Sequence, residues 1–364
     1  MSDAYAAAGV DTDQADQGVA AIVRMLATIE TGRESLTVPL PGHYASVMRL
    51  PGPLAPNVGI ALATDSVGSK VIVAEQTGRF DTIGIDCVAM NVNDLICVGA
   101  QPLGLLDYIA VERAQPAQLE AIGRGLAAGA AEAGVEIPGG EVCQVPEVLR
   151  GHPSPYGFDL VGSAFGAVEL DRIVDGSRVR PGDTLIGLPA SGIHSNGMTL
   201  ARRALLDEGQ LSLEERPGLL GGDSVADVLL EPTVIYVRAI LALIASELEV
   251  HGLAHITGGG LLNLRRIGSG VGYTISRPLP SPPVFELIAA CGRIAAAEMW
   301  EVFNMGCGFV AMVAAEQADA AVALLARFHP GAAVIGEITA DADVIELPDS
   351  GIRAVAGSDR LTAD

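Results

Sequence analysis

The sequence has almost no lysine: Lys70 is the only one, and the rest of its 22 basic residues are arginine. A coding bias toward arginine says nothing about function, and one lysine can survive such a bias by chance. Arginine is a wide planar fork, however, whereas lysine is a compact point charge, so a retained lysine indicates a place where the fork does not fit. We therefore interpret Lys70 as a residue that faces a ligand.

Aromatic residues are also scarce, at 4% of the chain, although 49% of the residues are hydrophobic. The cores must therefore be aliphatic. With 364 residues, the chain is long enough for two domains that each have a core. Its 44 glycines indicate many tight turns or close approaches of the backbone to a ligand.

Basic patches and long apolar runs are missing as well. A formal net charge of −22 with no basic stripe argues against a nucleic-acid partner. The N-terminal residues lack the basic-then-apolar plan of a signal peptide, and Arg238 interrupts the best candidate for a membrane span. The five cysteines form no CxxC pair, which is typical of a reduced protein. We expect no membrane partner and a cytoplasmic location.

The segment around Lys70 reads TDSVGSK and follows a short apolar run, residues 58–63, that predicts a buried strand. It is not a Walker A loop, because Ser69 separates Gly68 from Lys70. Small residues with one carboxylate, Asp65, and one ammonium nevertheless suit a phosphate and Mg²⁺, which binds one or two carboxylates plus phosphate oxygens. The alternative is a polar turn in which backbone N–H groups satisfy the carboxylate.

Residues 82–100 are apolar nearly all round, which predicts a buried helix. At about 100° per residue, Asp86, Met90 and Asn93 share one face, and Asp94 lies on its edge. Unpaired carboxylates in such a helix are costly, so they need a cation, a ligand or a hydrogen-bond network. For Asp86, a structural network to a neighbouring element is the alternative to a ligand role.

Two glycines stand directly before Glu141 in the segment IPGGE, which follows an apolar helical stretch over residues 119–133. Such glycines let the backbone approach whatever the carboxylate binds. A plain turn with a solvated glutamate is equally compatible with the sequence.

The chain changes character near residue 170, where a strand-like stretch over residues 158–168 gives way to the polar, turn-rich residues 171–183. We place the domain boundary there, which gives domains 1–170 and 171–364.

Two loops of one design follow in the second half, each running from a strand through a glycine-rich turn into a helix. They are residues 191–197 (SGIHSNG) and residues 257–260 (TGGG). Such turns are ready anion sites. His194 in the first loop is a candidate general acid or base, a phosphate donor, or an ordinary loop histidine. The glycines of a further loop, residues 303–308, shape a pocket or a bulge.

The order of these segments resembles that of one family, the phosphoribosylformylglycinamidine cyclo-ligases, also called aminoimidazole ribonucleotide synthetases. The matching motifs are TDSVGSK, GRFDTIGIDCVAMNVNDLICVGAQPLGLLDYIAV, IPGGE, IVDGSRVRPGD, GIHSNG, LLEPTVIYV, HITGGG and EMWEVFNMGCGF. They run from about Tyr5 to about Glu346. The resemblance implies that ATP, with Mg²⁺, phosphorylates the formamide oxygen of formylglycinamidine ribonucleotide, and that ring closure then gives aminoimidazole ribonucleotide, ADP and phosphate in purine biosynthesis.

The resemblance also implies an α/β (α+β) fold of two domains: an N-terminal ATP-binding and dimerisation domain and a C-terminal synthetase-like domain. The N-terminal strands of two subunits would join in a dimer-spanning β-barrel, with the site in a cleft near that interface. The expected partners are a small nucleotide substrate and a second copy of the chain.

Residue roles follow from the same motifs. The implied catalytic residues are His194, Lys70 and Asp94. The implied metal ligands are Asp65, Asp94 and Glu141. The implied nucleotide contacts are Asp65, Ser66, Gly68, Ser69, Lys70, Asp86 and Asn93. The implied substrate contacts are Ser195, Asn196, Gly258, Gly259, Gly260 and Asn304.

The chain departs from the family pattern in three places. The common TDGVGTK reads TDSVGSK here, and GGETAEMP reads GGEVCQVP, so no role beyond Glu141 is carried over. Residues 38–52 replace a Gly/Phe-rich mobile loop, and Gly42, His43 and Tyr44 could form a different lid there. Two other functions stay open: a related ATP-dependent carbonyl-activating enzyme of the hydrogenase-maturation, selenophosphate or thiamine-phosphate type, or a non-catalytic nucleotide-binding paralogue.

Overall fold

The computed structural model describes residues 12–26, 28–29, 31, 34–50, 57–358 and 360–363. The start of the family resemblance, near Tyr5, lies outside the described residues, as does the end of the divergent segment 38–52. Within the described residues, no helix is long and apolar enough to cross a membrane.

The first half forms a six-stranded sheet whose spatial order is β1-β2-β3-β6-β4-β5. Its strands are β1 Thr37–Val38, β2 Ser46–Arg49, β3 Val58–Ser66, β4 Gln101–Val111, β5 Glu136–Gln144 and β6 Phe158–Glu169. Neighbouring strands are antiparallel except β4 and β5, which are parallel. A parallel pair needs a crossover, and the helix α4 supplies it. The helices of this half are α1 Thr12–Leu26, α2 Lys70–Thr77, α3 Ile83–Cys97 and α4 Pro116–Ala133.

The second half forms an eight-stranded sheet whose order is β14-β13-β12-β9-β11-β7-β10-β8. Its strands are β7 Thr184–Pro189, β8 Val250–His255, β9 Gly272–Thr274, β10 Cys307–Val313, β11 Ala333–Thr339, β12 Ile345–Leu347, β13 Ile352–Ala354 and β14 Thr362–Ala363. Its helices are α5 Met198–Arg202, α6 Val225–Leu230, α7 Val237–Ile244, α8 Pro283–Gly292, α9 Ala296–Val302 and α10 Ala318–Leu325. A π-helical turn, Arg203–Glu208, continues α5, and a 3-10 helix, Gly260–Arg266, follows β8.

The helix predicted over residues 82–100 is confirmed as α3, and it connects the two halves. It packs against β3 and β6 of the first sheet and against β8 of the second. Because both sides are covered, almost every side chain of α3 is buried, including Asp86, Asn91 and Asn93. The strands expected at residues 58–63 and 158–168 are also confirmed, as β3 and β6. Residues 137–141 form part of the strand β5 and not a turn.

Only one face of the first sheet is covered by helices. The other face carries exposed apolar side chains, among them Leu62 on β3 and Leu106 and Tyr108 on β4. We call this surface the outer face. Within the described residues neither sheet closes into a barrel.

Candidate active site

Lys70 forms a buried ion pair and has no exposed surface. Its ammonium lies 2.8 and 3.0 Å from the two carboxylate oxygens of Asp86, and it donates to the carbonyl of Glu231 at 2.6 Å. The carbonyl of His194 lies at 3.5 Å. These acceptors surround a compact ammonium, which explains why lysine is kept here. In this structure the ammonium is surrounded by protein atoms, and the ligand contact predicted for Lys70 stays a prediction.

Asp86 is bonded from the second half of the chain as well. Its Oδ1 accepts hydrogen bonds from the N–H and hydroxyl of Thr233, at 2.8 and 2.6 Å, and from the hydroxyl of Ser195 at 3.3 Å. The carboxylate is buried and paired with protein groups, and the nucleotide contact predicted for Asp86 stays a prediction. The alternative stated for Asp86, a structural network, is the one observed.

Asn93 takes part in a similar contact about two turns along α3. Its amide N–H donates to the carbonyl of Val234 at 2.8 Å, and its oxygen accepts from the N–H of Tyr236 at 3.0 Å. The face that Asp86 and Asn93 were predicted to share therefore contacts one segment of the second half, residues 231–236. Asn93 is fully buried and bonded to this segment, and its predicted contact with nucleotide stays a prediction.

Asp94 keeps access to solvent, unlike Asp86. Its side chain is 19% exposed, and its Oδ1 lies 2.9 Å from Nδ1 of the buried His255. The Asn93 amide faces the other ring nitrogen of His255 at 3.5 Å. With the Asn93 N–H facing Nε2, the Nδ1–H of His255 donates to the Asp94 carboxylate. His255 thus orients the one carboxylate of α3 that a ligand can reach.

Asp65 lies at the end of β3, and its Oδ1 accepts the N–H of Ser66 at 2.7 Å. Burial raises the pKa of Asp65, and the negative charge of nearby Asp94 raises it further. Two neighbouring carboxylates of this kind would be stabilised by a cation between them. This fits Mg²⁺, which takes one or two protein carboxylates and completes its shell with phosphate and water.

Glu141 is not brought to these carboxylates within one chain. It lies on the exposed strand β5, where it is paired with Tyr108 of β4. The same row continues across the sheet through Val161 of β6 to Ser66 of β3. Three strand spacings separate Glu141 from β3, which is about 14 Å. Among the described residues, no three His, Cys, Asp or Glu side chains are grouped as a metal site. The pair Asp65 and Asp94 is therefore the part of the predicted ligand set that this chain assembles.

The remainder of TDSVGSK contacts the second half. Gly68 has φ 70°, a left-handed conformation suited to glycine. The hydroxyl of Ser69 lies 2.7 Å from the hydroxyl of Thr199 on α5. Ser66 and Ser69 thus belong to the predicted phosphate loop, and Ser69 also contacts the second half of the chain.

His194 is buried in the loop after β7, with a left-handed backbone conformation at φ 66°. Its Nε2 lies 3.4 Å from the N–H of Ser191 and 3.5 Å from the N–H of Val234. Burial is the main reason why its pKa is lowered well below the usual value, and His255 and Lys70 lower it further. The ring is therefore neutral near pH 7.

Asn304 stabilises the same loop from the other side. Its amide donates to the carbonyls of Gly192 at 2.9 Å and Ile193 at 3.2 Å, and its oxygen accepts the N–H of Gly306 at 2.8 Å. Asn304 therefore has a structural role in holding this loop. Its substrate contact stays a prediction.

The glycine loop after β8 is held by Asn263, whose amide donates to the carbonyls of Gly258 at 3.1 Å and Gly260 at 2.9 Å. At Gly260, with φ 50°, an added Cβ would overlap the carbonyl of Trp300. The loop is thus tightly packed and its shape depends on glycine. Gly259, at φ 95°, also has a conformation that favours glycine.

A narrow cleft lies between these loops. It is lined by His194, Asn196, His255 and Asn304, together with apolar side chains and Thr257. The structure therefore brings the SGIHSNG loop, the start of the HITGGG segment and Met90 of α3 together at one place. His255 was missed from the sequence, although it stands at the start of HITGGG, a motif that carried the resemblance.

Gly308 on β10 provides the space in which His194 lies. A Cβ there would overlap the hydroxyl of Tyr236 and lie 2.7 Å from Cε1 of His194. We expect Gly308→Ala to lower the free energy of unfolding by about 1–3 kcal/mol, because a packed site must shift to admit the methyl group. Urea unfolding measures the change. Gly123→Ala on α4 is the control, since its Cβ meets nothing within 4 Å; equal stability of the two variants would contradict the packing argument.

Comparison with known proteins identifies the family. Residues 42–168 match the family model described as AIR synthase related protein, N-terminal domain, and residues 180–347 match the corresponding C-terminal domain. The phosphoribosylformylglycinamidine cyclo-ligase of Methanothermobacter thermautotrophicus is 46% identical over 346 residues, which cover 94% of this chain and 96% of that protein. The chain belongs to the phosphoribosylformylglycinamidine cyclo-ligase family.

Another cyclo-ligase of this name, from Thermococcus kodakarensis, is 46% identical over 326 residues, covering 89% of this chain and 92% of that protein. Solved structures match at lower identity. Hydrogenase maturation protein HypE in complex with ATP aligns with a TM-score of 0.58 at 22% identity and covers 90% of each chain. AaThiL complexed with AMPPCP and TMP gives 0.60 at 15% identity, covering 89% of this chain and 91% of that one. The cyclo-ligase resemblance and the α/β synthetase-like fold are thereby confirmed.

Proposed function

We propose that the chain converts formylglycinamidine ribonucleotide and ATP to aminoimidazole ribonucleotide, ADP and phosphate, a ring-closing step of purine biosynthesis. The observation that carries the proposal is 46% identity over 94% of the chain to a cyclo-ligase. The site supports it, because two adjacent carboxylates lie close to a cleft lined by neutral histidine and amide side chains. Such an inventory suits a metal–triphosphate complex beside an uncharged reacting group.

The chemistry explains why ATP is needed. A formamide oxygen is a poor leaving group, and transfer of the γ-phosphoryl group to it turns it into phosphate, a good one. The amidine-side nitrogen then attacks the formyl carbon, the five-membered ring closes, and the C–O bond to phosphate breaks. Most of the rate enhancement in such a reaction comes from positioning and from neutralising phosphate charge.

Asp65 and Asp94 are the residues proposed to hold Mg²⁺. When bound, the ion would neutralise charge on the phosphate oxygens of ATP. His255 would hold Asp94 in a fixed orientation through its Nδ1–H, as second-layer partners of metal ligands do. Glu141 lies on the outer face of the first sheet. It would therefore contribute a ligand only if a second subunit or a conformational change brings it to the metal.

The remaining assignments divide by location. Phosphate contacts are proposed for Ser66, Gly68 and Ser69 in the loop after β3, and for Gly258, Gly259 and Gly260 after β8. Substrate contacts are proposed for Ser195, Asn196 and Asn304 around the cleft. We propose that three buried side chains hold these loops in position: Lys70, Asp86 and Asn93. The boundary near residue 170 and a cytoplasmic location remain part of the proposal.

A homodimer is proposed from the outer face of the first sheet. Leu62, Leu106 and Tyr108 are 40%, 47% and 43% exposed there, on a sheet whose opposite face is packed. Apolar surface of this kind on an open sheet is typical of a protein–protein interface. A second copy meeting it face to face would bury it, and its strands would complete the dimer-spanning barrel that the family resemblance implies.

We expect Leu106→Glu to convert the dimer into monomers. In a two-fold interface every substitution occurs twice, so each dimer would bury two unpaired carboxylates. Light scattering after size-exclusion chromatography would then give about the 37.3 kDa of one chain instead of twice that mass. Phe328→Glu is the matched control, because Phe328 is 41% exposed in the second half. A dimeric Leu106→Glu variant would contradict the proposed interface.

The proposed function is tested by incubating the protein with formylglycinamidine ribonucleotide, ATP and Mg²⁺ and assaying aminoimidazole ribonucleotide. Product that requires all three supports the proposal. ADP release without that product would indicate a related enzyme with another acceptor. Nucleotide binding without any turnover would indicate a non-catalytic paralogue.

A further inference from the structure

Two buried polar atoms at the cleft lack hydrogen-bond partners among the described residues: Nδ1 of His194 and Oδ1 of Asn196. Both residues line the cleft. The cleft is narrow as it stands. Buried polar atoms are nearly always paired in folded proteins, so these two are candidates for pairing with a ligand that widens the cleft.

The geometry determines which ring nitrogen of His194 carries the proton. Nε2 faces the backbone N–H groups of Ser191 at 3.4 Å and Val234 at 3.5 Å. Only an unprotonated ring nitrogen can accept from an N–H, so the neutral ring is protonated at Nδ1. The unpaired atom of His194 is therefore a donor, whereas the unpaired Oδ1 of Asn196 is an acceptor.

The backbone also indicates a functional constraint at His194. Its φ of 66° is uncommon for a residue with a side chain. Hydrogen bonds from Asn304 to the carbonyls of Gly192 and Ile193 hold the loop in this conformation. Unfavourable backbone conformations that the surroundings maintain are concentrated at ligand-binding sites. The strained backbone and the unpaired donor thus occur in the same residue.

We propose that this cleft binds a planar amide-like group, with His194 Nδ1–H donating to its oxygen and Asn196 Oδ1 accepting its N–H. The inference rests on the proposed function, whose substrate contains a formamide with both of these groups. A carbonyl oxygen has two lone pairs, so one accepted hydrogen bond leaves the other free to attack the γ-phosphorus of ATP. His194 then acts as a neutral hydrogen-bond donor that orients the oxygen. The family resemblance implied a proton-shuttling role for His194, and this proposal replaces it.

The tautomer can be measured on the unmodified protein. Nitrogen-15 NMR of full-length protein labelled at its six histidines reports which ring nitrogens carry protons. The His194 signals are those lost in His194→Asn. We expect Nδ1 to be protonated and Nε2 to be unprotonated near pH 7. A proton on Nε2, or a charged ring, would overturn the inference.

A pair of variants tests the ligand contact. Both asparagine and glycine accept a left-handed backbone, but only asparagine keeps an N–H donor near the Nδ1 position. Calorimetry with formylglycinamidine ribonucleotide, without ATP, should show His194→Asn binding within about tenfold of the unmodified protein and His194→Gly binding about tenfold to hundredfold more weakly. Equal binding by the glycine variant and the unmodified protein would overturn this inference alone. Failure of the unmodified protein to bind the ribonucleotide would overturn the proposed function and the substrate assignment together.

Discussion

Lys70→Met is expected to lower the free energy of unfolding by about 3–5 kcal/mol, because it leaves the Asp86 carboxylate buried without its counter-charge. Both side chains of the pair are fully buried, with the ammonium 2.8 Å from the carboxylate. Methionine matches the length and apolar stem of lysine, so the lost charge dominates the effect. Urea unfolding followed by circular dichroism measures it.

A double variant separates charge from packing. Replacing a buried ion pair by apolar residues of similar volume is often neutral, so Lys70→Met with Asp86→Leu should recover most of the lost stability. Lys70→Arg is the second comparison: the guanidinium keeps the charge but overfills the site, which should cost about 1–3 kcal/mol. If Lys70→Met unfolds at the same urea concentration as the unmodified protein, the buried pair is not what retains the only lysine.

Asp94→Asn is expected to reduce turnover by a factor on the order of a thousand, with little change in stability. The amide oxygen can still accept the Nδ1–H of His255, so the packing around α3 is preserved. The negative charge that would hold Mg²⁺ next to Asp65 is removed. Steady-state kcat at saturating ATP and Mg²⁺ gives the effect on turnover, and urea unfolding gives the effect on stability.

Asp86→Asn is the matched control on the same helix. Asp86 is fully buried and bonded to Lys70 and Thr233, whereas Asp94 is 19% exposed and its Oδ1 bonds to His255. Asp86→Asn should lower stability more than it lowers turnover, because it leaves the Lys70 ammonium buried without a counter-charge. We expect Asp94→Asn to lose turnover while its stability stays normal. For Asp86→Asn we expect the loss of stability to be the main effect. Equal loss of turnover in both stable variants would contradict the division of roles.

The sequence was informative where the signal is local. A 3.6-residue period placed Asp86 and Asn93 on one face of α3, and glycine-rich turns after strands located the loops that form the cleft. The motif order was enough to indicate the family. These features depend on residues close together in the chain.

Burial and long-range pairing were not predictable in this way. The carbonyl that accepts from Lys70 is 161 residues away, and so is the histidine that bonds to Asp94. A lysine next to small polar residues therefore resembles a phosphate ligand in sequence, whereas the fold places it in a buried ion pair with Asp86 that also contacts a carbonyl of the second half. Glu141 is a case of the opposite kind. The glycines before it resemble part of a ligand site in sequence, whereas sheet order and register place it on a strand of the outer face.

The most direct test of the account is to follow the formyl oxygen. Formylglycinamidine ribonucleotide labelled with oxygen-18 at that position is incubated with the protein, ATP and Mg²⁺, and the released phosphate is analysed by mass spectrometry. Phosphorylation of the formamide oxygen predicts that each phosphate formed with aminoimidazole ribonucleotide carries one labelled oxygen. Unlabelled phosphate, with the label in water, would contradict it.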